Sequence, residues 1–191
     1  MTKIIKDIQQ SGEKKSLLLH CCCAPCASHC LMVLKDYFDI TLYFCNPNMD
    51  TAKEFYLRAE ELSKFVEKIG GNISIIVEEY NHNQFLDKVK GLEDAPEGGA
   101  RCNVCYALRL SKTAQYAKNN HYDYFASVLS ISPHKNASLL NKIGYELQQK
   151  YEINYLPNDF KKDGGFLKST QLSKQFNLYR QNYCGCEFSK R

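Results

Sequence analysis

Ten of the 191 residues are cysteine, and seven of them fall into three short clusters. Cys22, Cys23 and Cys26 lie in HCCCAPC, Cys102 and Cys105 in RCNVCY, and Cys184 and Cys186 in YCGC. Each cluster has the spacing of metal ligands. Four thiolates complete a zinc site or a cubane iron–sulfur cluster. Seven exceed one such site and nearly fill two. A fold for this chain therefore has to bring three remote segments to one place.

The composition is that of an ordinary globule, 44% apolar and 24% charged. The length suits a single α/β domain over residues 1–191, burying roughly 70% of its unfolded surface. The opening MTKIIKDIQQSGEKKS is polar and does not read as a signal peptide. No apolar run approaches the length of a membrane span. The expected setting is the cytoplasm, where clustered cysteines favour metal or redox chemistry over structural disulfide bonds.

Net charge is +4, and residues 158–191 carry all of the excess: 7 Lys/Arg against 3 acids. Six aromatics, among them Phe166, Tyr179 and Tyr183, are interleaved there. Basic and aromatic residues together suit phosphates and unstacked bases. The alternative is a solvated segment with its aromatics turned inward.

Strand-like apolar runs at 16–20, 39–45, 72–80, 123–129 and 152–157 alternate with helix-period stretches at 25–37, 51–69, 82–91, 102–119 and 136–150. That alternation predicts crossover connections and a three-layer parallel α/β sheet. Residues 91–100 and 159–165 read as loops. In such sheets ligands bind at the carboxyl ends of the strands. HCCCAPC follows the first strand directly, with Pro25 suited to the first turn of the next helix. A helix start there would stabilise thiolates. Cys102 and Cys105, three apart at another helix start, would share a face.

Cys21, Cys30 and Cys45 read as small buried hydrophobes. Spacing does not choose between zinc and iron. Neither GxGxxG nor GxxxxGK[ST] occurs, which argues against dinucleotide binding and ATP-driven chemistry. His20 is either a supporting donor or a satisfied strand-end histidine. Asn46 and Asn48 follow the second strand, where they suit either a turn or ligand contact. Arg58, Arg101, Arg109 and Arg180, with Lys161 and Lys162, are candidate phosphate contacts. Tyr106 and Tyr183 each neighbour a ligand-type cysteine and are candidate proton donors.

Taken together, LLLHCCCAPC, FCNPN, RCNVCYALRLSKTAQYA, SPHK, DFKKDGG and YRQNYCGCEFS resemble the QueH-type epoxyqueuosine reductases. The match runs through most of the chain. The resemblance implies a HUP-like domain, related to the PP-loop enzymes but without their ATP loop. It implies reduction of the epoxide of epoxyqueuosine in tRNA, giving queuosine. It also implies a [4Fe–4S] cluster with a second, mononuclear iron nearby. Two stretches depart from the family pattern. Met49, Asp50 and Thr51 stand where an apolar residue and His-Pro are usual, and SPHK replaces SPYQ or SPYK.

Removing an epoxide oxygen needs two electrons, so an external electron donor is expected, with tRNA as partner and no membrane. Seven thiolates divide as four for a cubane and three for an iron with an open position, and a carboxylate could replace one thiolate. The sequence does not assign individual cysteines to either centre. Two other classes remain open: a zinc-stabilised RNA-binding module, and a thiol redox protein acting through Cys23 and Cys26.

Overall fold

The computed structural model describes residues 1–190. Five strands form one all-parallel sheet: β1 (Lys15–His20), β2 (Phe38–Phe44), β3 (Ser74–Val77), β4 (Tyr124–Ser127) and β5 (Asn154–Tyr155), in the order β3-β2-β1-β4-β5. Among the described residues seven α-helices accompany it: α1 (Thr2–Ser11), α2 (Ala24–Leu34), α3 (Ala52–Ile69), α4 (Asn83–Val89), α5 (Ala100–Asn119), α6 (Ala137–Tyr151) and α7 (Gly165–Gln175). Helix α2 packs with α3 and α7, while α5 packs with α4 and α6, which gives the two outer layers. This is the expected three-layer α/β fold.

The central strand explains why the sheet is parallel and buried. Leu17, Leu18, Leu19 and His20 are all sealed from solvent, so β1 is covered on both faces. Leu17 pairs with Ile40 on one side and Tyr124 on the other. At roughly 1.5–3 kcal/mol per fully buried leucine, this triplet anchors the core.

The order of the strands runs outward from β1 to β3, then restarts on the other side of β1 at β4. The switch point lies between β1 and β4, and a crevice opens outside their carboxyl ends. The segments leaving β1, β2 and β4 meet there. They carry Cys21–Cys23, Cys45–Asn48 and a 3-10 turn at Val128–Ile131, respectively.

Several local signals set the element boundaries. Pro25 occupies the first turn of α2, with Cys23 as the extended N-cap residue. The Thr51 side chain caps α3 by accepting from the Glu54 amide at 3.2 Å. This gives Thr51, one of the departures from the family pattern, a structural role.

The structure adds two helices that the sequence pattern did not resolve, α1 and α7. The stretch 159–165 is only partly a loop, since a 3-10 turn at Lys162–Gly164 leads straight into α7. Three strands are shorter than expected. The run 123–129 breaks after Ser127, whose hydroxyl accepts from the Leu129 amide and starts the 3-10 turn instead. Strands β3 and β5 lie at the sheet edges, where one side has no ladder partner, and keep four and two residues.

Candidate metal centre at the carboxyl edge of the sheet

Cys22 ends the β1 connection, Cys23 caps α2, and Cys26 sits in its first turn. Their three sulfur atoms lie within 4.8 Å of one another. Among the described residues they are the only group of His, Cys, Asp or Glu ligand atoms close enough to hold a single ion. All ten cysteines are free. Without a metal the trio behaves as one shared acid. Hydrogen bonds from the Cys23 and Cys26 thiols hold Cys22 well below the usual thiol range. The same coupling pushes Cys23 up to about 12 and Cys26 well above the usual range. A metal ion held by the three sulfurs would displace the protons that Cys23 and Cys26 retain.

The other four cysteines form a second set. Cys102 and Cys105 come from the start of α5, and Cys184 and Cys186 from the C-terminal segment. All four line one small cavity of about 20 Å³, together with Asn48, Tyr106 and Lys135. No three of their sulfurs lie within single-ion reach of one another. Burial pushes the Cys105 thiol up to about 12. The Gly98 amide donates to the Cys102 sulfur at 3.2 Å.

Gly185 makes the Cys-Gly-Cys turn possible. Its φ of +122° lies where L side chains are strained, and a β-carbon there would meet Met49 and the Arg58 guanidinium at 3.3 and 3.4 Å. The Gly185 carbonyl accepts from the Asp50 amide at 2.9 Å. Asp50 is also the anion for Lys190 and accepts from the Tyr183 hydroxyl at 3.1 Å. Arg58, ion-paired with Glu54 at 2.7 Å, donates to the Cys184 carbonyl at 3.2 Å. These contacts hold the end of the chain against α3 and the β2 connection. Asp50, which neighbours Thr51 in the same departing stretch, is thus the anchor of that segment.

Arg109 is the keystone of the framework behind the sulfurs. It is buried without a carboxylate partner. Nε donates to His20 Nε2 at 3.2 Å, Nη2 donates to Asn46 Oδ1 at 2.6 Å, and Nη1 reaches the Cys105 sulfur at 4.0 Å. Burial opposes its charge, but the sulfurs of Cys105, Cys22 and Cys184 around it act the other way and raise its pKa. The opposite ring nitrogen of His20 meets the Ser127 hydroxyl at 2.9 Å, and burial, with Arg109 second, lowers its pKa to about 3. His20 is therefore a neutral, satisfied strand-end histidine. Asn46 donates to the Cys21 carbonyl at 2.9 Å and fixes the turn that presents Cys22.

The remaining candidates separate into inner and outer positions. The Arg101 guanidinium is taken up by the carbonyls of Leu92, Glu93 and Ala95 and lies over the Phe188 ring. The Lys161 ammonium donates to the Lys135 carbonyl at 3.2 Å and pairs with Asp159 at 3.1 Å. Like Arg58 and Arg109, both are committed to protein groups. Arg180 and Lys162 are exposed. Arg180 borders a larger cavity of about 250 Å³, also lined by Cys22, Cys26, Lys135, Phe166, Gln181 and Tyr183. Lys162 faces a different recess. Tyr106 is buried in the small cavity, and burial raises its pKa. Tyr183 borders the large one, with its pKa pushed up to about 12 by burial and then by Glu54 and Asp50.

Two residues at the centre were not singled out from the sequence. Gln181 donates to the Cys23 sulfur at 3.1 Å, so it supports the trio from the C-terminal segment. Lys135, the last residue of SPHK, borders both cavities and stands between the two sulfur sets. The motif SPHK was the available signal, but nothing in its spacing marks it as adjacent to cysteines thirty or more positions away. Among the described residues, buried Asn48 Oδ1, Arg58 Nη2 and Gln181 Oε1 have no hydrogen-bond partner. Unsatisfied polar atoms around two sets of free thiols fit a site built for an additional polar or charged group.

A parallel α/β sheet with three mutually close thiols at its first strand–helix corner, and four more around a neighbouring cavity, defines an α/β protein with a group of cysteines able to hold a metal. The profile of the family described as Epoxyqueuosine reductase QueH matches residues 17–191. The chain is 42% identical to an Epoxyqueuosine reductase QueH of Staphylococcus epidermidis, over 99% of its own length and 82% of the relative's. It is 40% identical to one from Streptococcus pyogenes serotype M1, over 100% and 76%. It is 34% identical to one from Thermotoga maritima, over 91% and 90%. The chain belongs to the QueH family of epoxyqueuosine reductases.

Proposed function

We infer that this chain is an epoxyqueuosine reductase, an oxidoreductase that removes the epoxide oxygen of epoxyqueuosine in tRNA to give queuosine. The division of the sulfurs into three and four carries the reading of its centre. Cys22, Cys23 and Cys26 have the mutual proximity needed for one iron, with a fourth position left open. Cys102, Cys105, Cys184 and Cys186 surround a shared cavity but are too far apart for one ion, as suits the separated corners of a [4Fe–4S] cubane. Together the two centres would supply electrons and a Lewis-acid site for the oxygen.

The protein's own residues set the stage for that chemistry. The large cavity brings substrate against Cys22 and Cys26, the exposed face of the trio. Gln181 orients Cys23, and Asn46 and Arg109 fix the turns that present Cys22 and Cys105. Cys105 and Cys186 are the buried members of the second set, while Cys102 and Cys184 are partly open to solvent. The Tyr183 proton is held on Asp50, and Tyr106 keeps its proton in an apolar wall. The electrons come from an external donor, and the setting is the cytoplasm, where tRNA is modified.

The test is anaerobic reconstitution with iron and sulfide, followed by nucleoside analysis of tRNA carrying epoxyqueuosine. The expected content is about five irons and four sulfides per chain, one cubane plus one ion. Conversion to queuosine should require a reductant. Colourless, zinc-loaded protein that binds tRNA without converting it would favour an RNA-binding module. Turnover by metal-free protein would favour thiol chemistry.

The tRNA would meet the rim of the large cavity. Arg180 is exposed there, and Phe166 is exposed to 40% and free to stack on an unpaired base. Arg180→Glu is expected to weaken tRNA binding and to reduce the slope of log affinity against log salt by roughly one. Metal content should be unchanged. Lys161→Glu should instead disturb the loop that ends at Lys135, because its ammonium is spent on that loop. Salt titrations of tRNA binding by filter retention check both expectations.

A further inference from the structure

We propose that Lys135 is a catalytic residue that binds the epoxide oxygen, its ammonium donating a hydrogen bond to that oxygen as the C–O bonds break. The proposal rests on the reductase reading above. Three observations support it. Lys135 borders both the substrate-sized cavity with Cys22 and Cys26 and the small cavity with the other four cysteines. Among the described residues its ammonium has no carboxylate or carbonyl partner, unlike those of Lys112, Lys118, Lys161 and Lys190. Its backbone is fixed. The Lys135 amide donates to the Ser132 carbonyl at 3.2 Å, the His134 amide donates to the Ser132 hydroxyl at 3.3 Å, and Lys161 grips the Lys135 carbonyl. The loop's root is pinned by Ser130, which donates to Asn158 and accepts from the Phe160 amide at 3.1 Å.

Such an arrangement is a rigid mount for a free cation. A fixed donor aimed at developing negative charge needs no reorganisation when the charge appears. The other candidates are less available. Tyr183 already donates to Asp50, and its ring is flanked by Arg58 and Lys190. Arg58, Arg101 and Arg109 are tied to protein groups.

The balance of the step is simple. Two electrons from the external reductant enter the substrate, both C–O bonds of the epoxide break, and a carbon–carbon double bond forms. The oxygen takes two protons from solvent and leaves as water. Lys135 is unchanged at the end. Its contribution is to lower the energy of the charged oxygen between the two bond-breaking events.

The experiment compares reconstituted wild type with Lys135→Ala and Lys135→Arg under anaerobic conditions, using tRNA carrying epoxyqueuosine. It measures iron and sulfide content, tRNA affinity, kcat and KM, and the response to added propylammonium. The expected result for Lys135→Ala is a fall in kcat of roughly 10²–10³-fold, the cost of losing one preorganised donor. Metal content and tRNA affinity should stay within about twofold to threefold. Propylammonium should restore turnover saturably, and Lys135→Arg should retain part of it. The proposal is overturned if Lys135→Ala turns over within about threefold of wild type. It is equally overturned if activity falls only in step with lost iron, or if added amine has no effect. An inactive, fully loaded wild type would overturn the reductase reading instead, and the role of Lys135 with it.

Discussion

Serine at Cys22, Cys23 or Cys26 is expected to abolish turnover while leaving most of the iron in place. These three sulfurs form the set within single-ion reach, so losing one should release about one iron per chain. Serine at Cys102, Cys105, Cys184 or Cys186 should cost the larger share, about four irons and the acid-labile sulfide. In either case the loss of activity should exceed the roughly 10–100-fold that removal of a supporting group costs, because a ligand itself is gone. Cys21, Cys30 and Cys45 are the controls. They are buried, and the Cys21 and Cys30 thiols donate to the carbonyls of Cys23 and Cys26. Alanine there should leave both iron and turnover within a few-fold, at some cost in stability. Iron and sulfide assays on the ten single variants test the division directly. Equal iron loss from both sets would mean one shared centre.

Arg109→Met is expected to be the most destabilising change outside the apolar core. It removes three donated contacts at once, to His20, Asn46 and Cys105, and leaves their acceptors buried without a donor. Each unsatisfied buried group costs about 1–3 kcal/mol, so a total near 3 kcal/mol or more is expected in the metal-free protein. The same residue shapes the acid response. Burial first, and Arg109 second, lower the His20 pKa from 6.5 to about 3. The folded state therefore binds fewer protons at His20 than the unfolded chain does. That contribution to stability is fully present above pH 6.5 and is lost progressively as pH falls toward 3, by at most about 1.4 kcal/mol per pH unit. Without Arg109 one of the lowering causes disappears, the folded pKa of His20 rises, and the window narrows. Denaturant unfolding at pH 7, 6, 5 and 4 should show a lower midpoint for the variant at pH 7 and a shallower fall below pH 6. A variant as stable as wild type at pH 7 would remove Arg109 from the framework.

The alternation of apolar runs with helix-period stretches determined the fold class. Buried parallel strands need continuous apolar residues, and LLL in β1 supplies them. The order of the cysteine clusters along that pattern, one directly after the first strand and one at a helix start, placed thiols at the carboxyl edge of the sheet. The combined motifs determined the family. Periodicity was silent on α7, because the face that packs on α2 is built from Gly165, Ser169 and Ser173 rather than from large apolar side chains. Small residues allow close helix approach but give no hydrophobic period.

Tertiary structure decided what the side chains at the site do. Arginine looks the same in sequence whether it faces phosphate or carbonyl, and only the fold shows Arg58, Arg101 and Arg109 spent on internal partners and Arg180 exposed. The same holds for the seven cysteines, whose spacing is local but whose grouping depends on which segments meet. The strand switch brings residues after β1, β2 and β4 into one crevice, and the anchored Cys-Gly-Cys turn closes it from the far end of the chain. Separation of the sulfurs into three and four, and the place of Lys135 between them, follow from those long-range contacts, which no local pattern encodes.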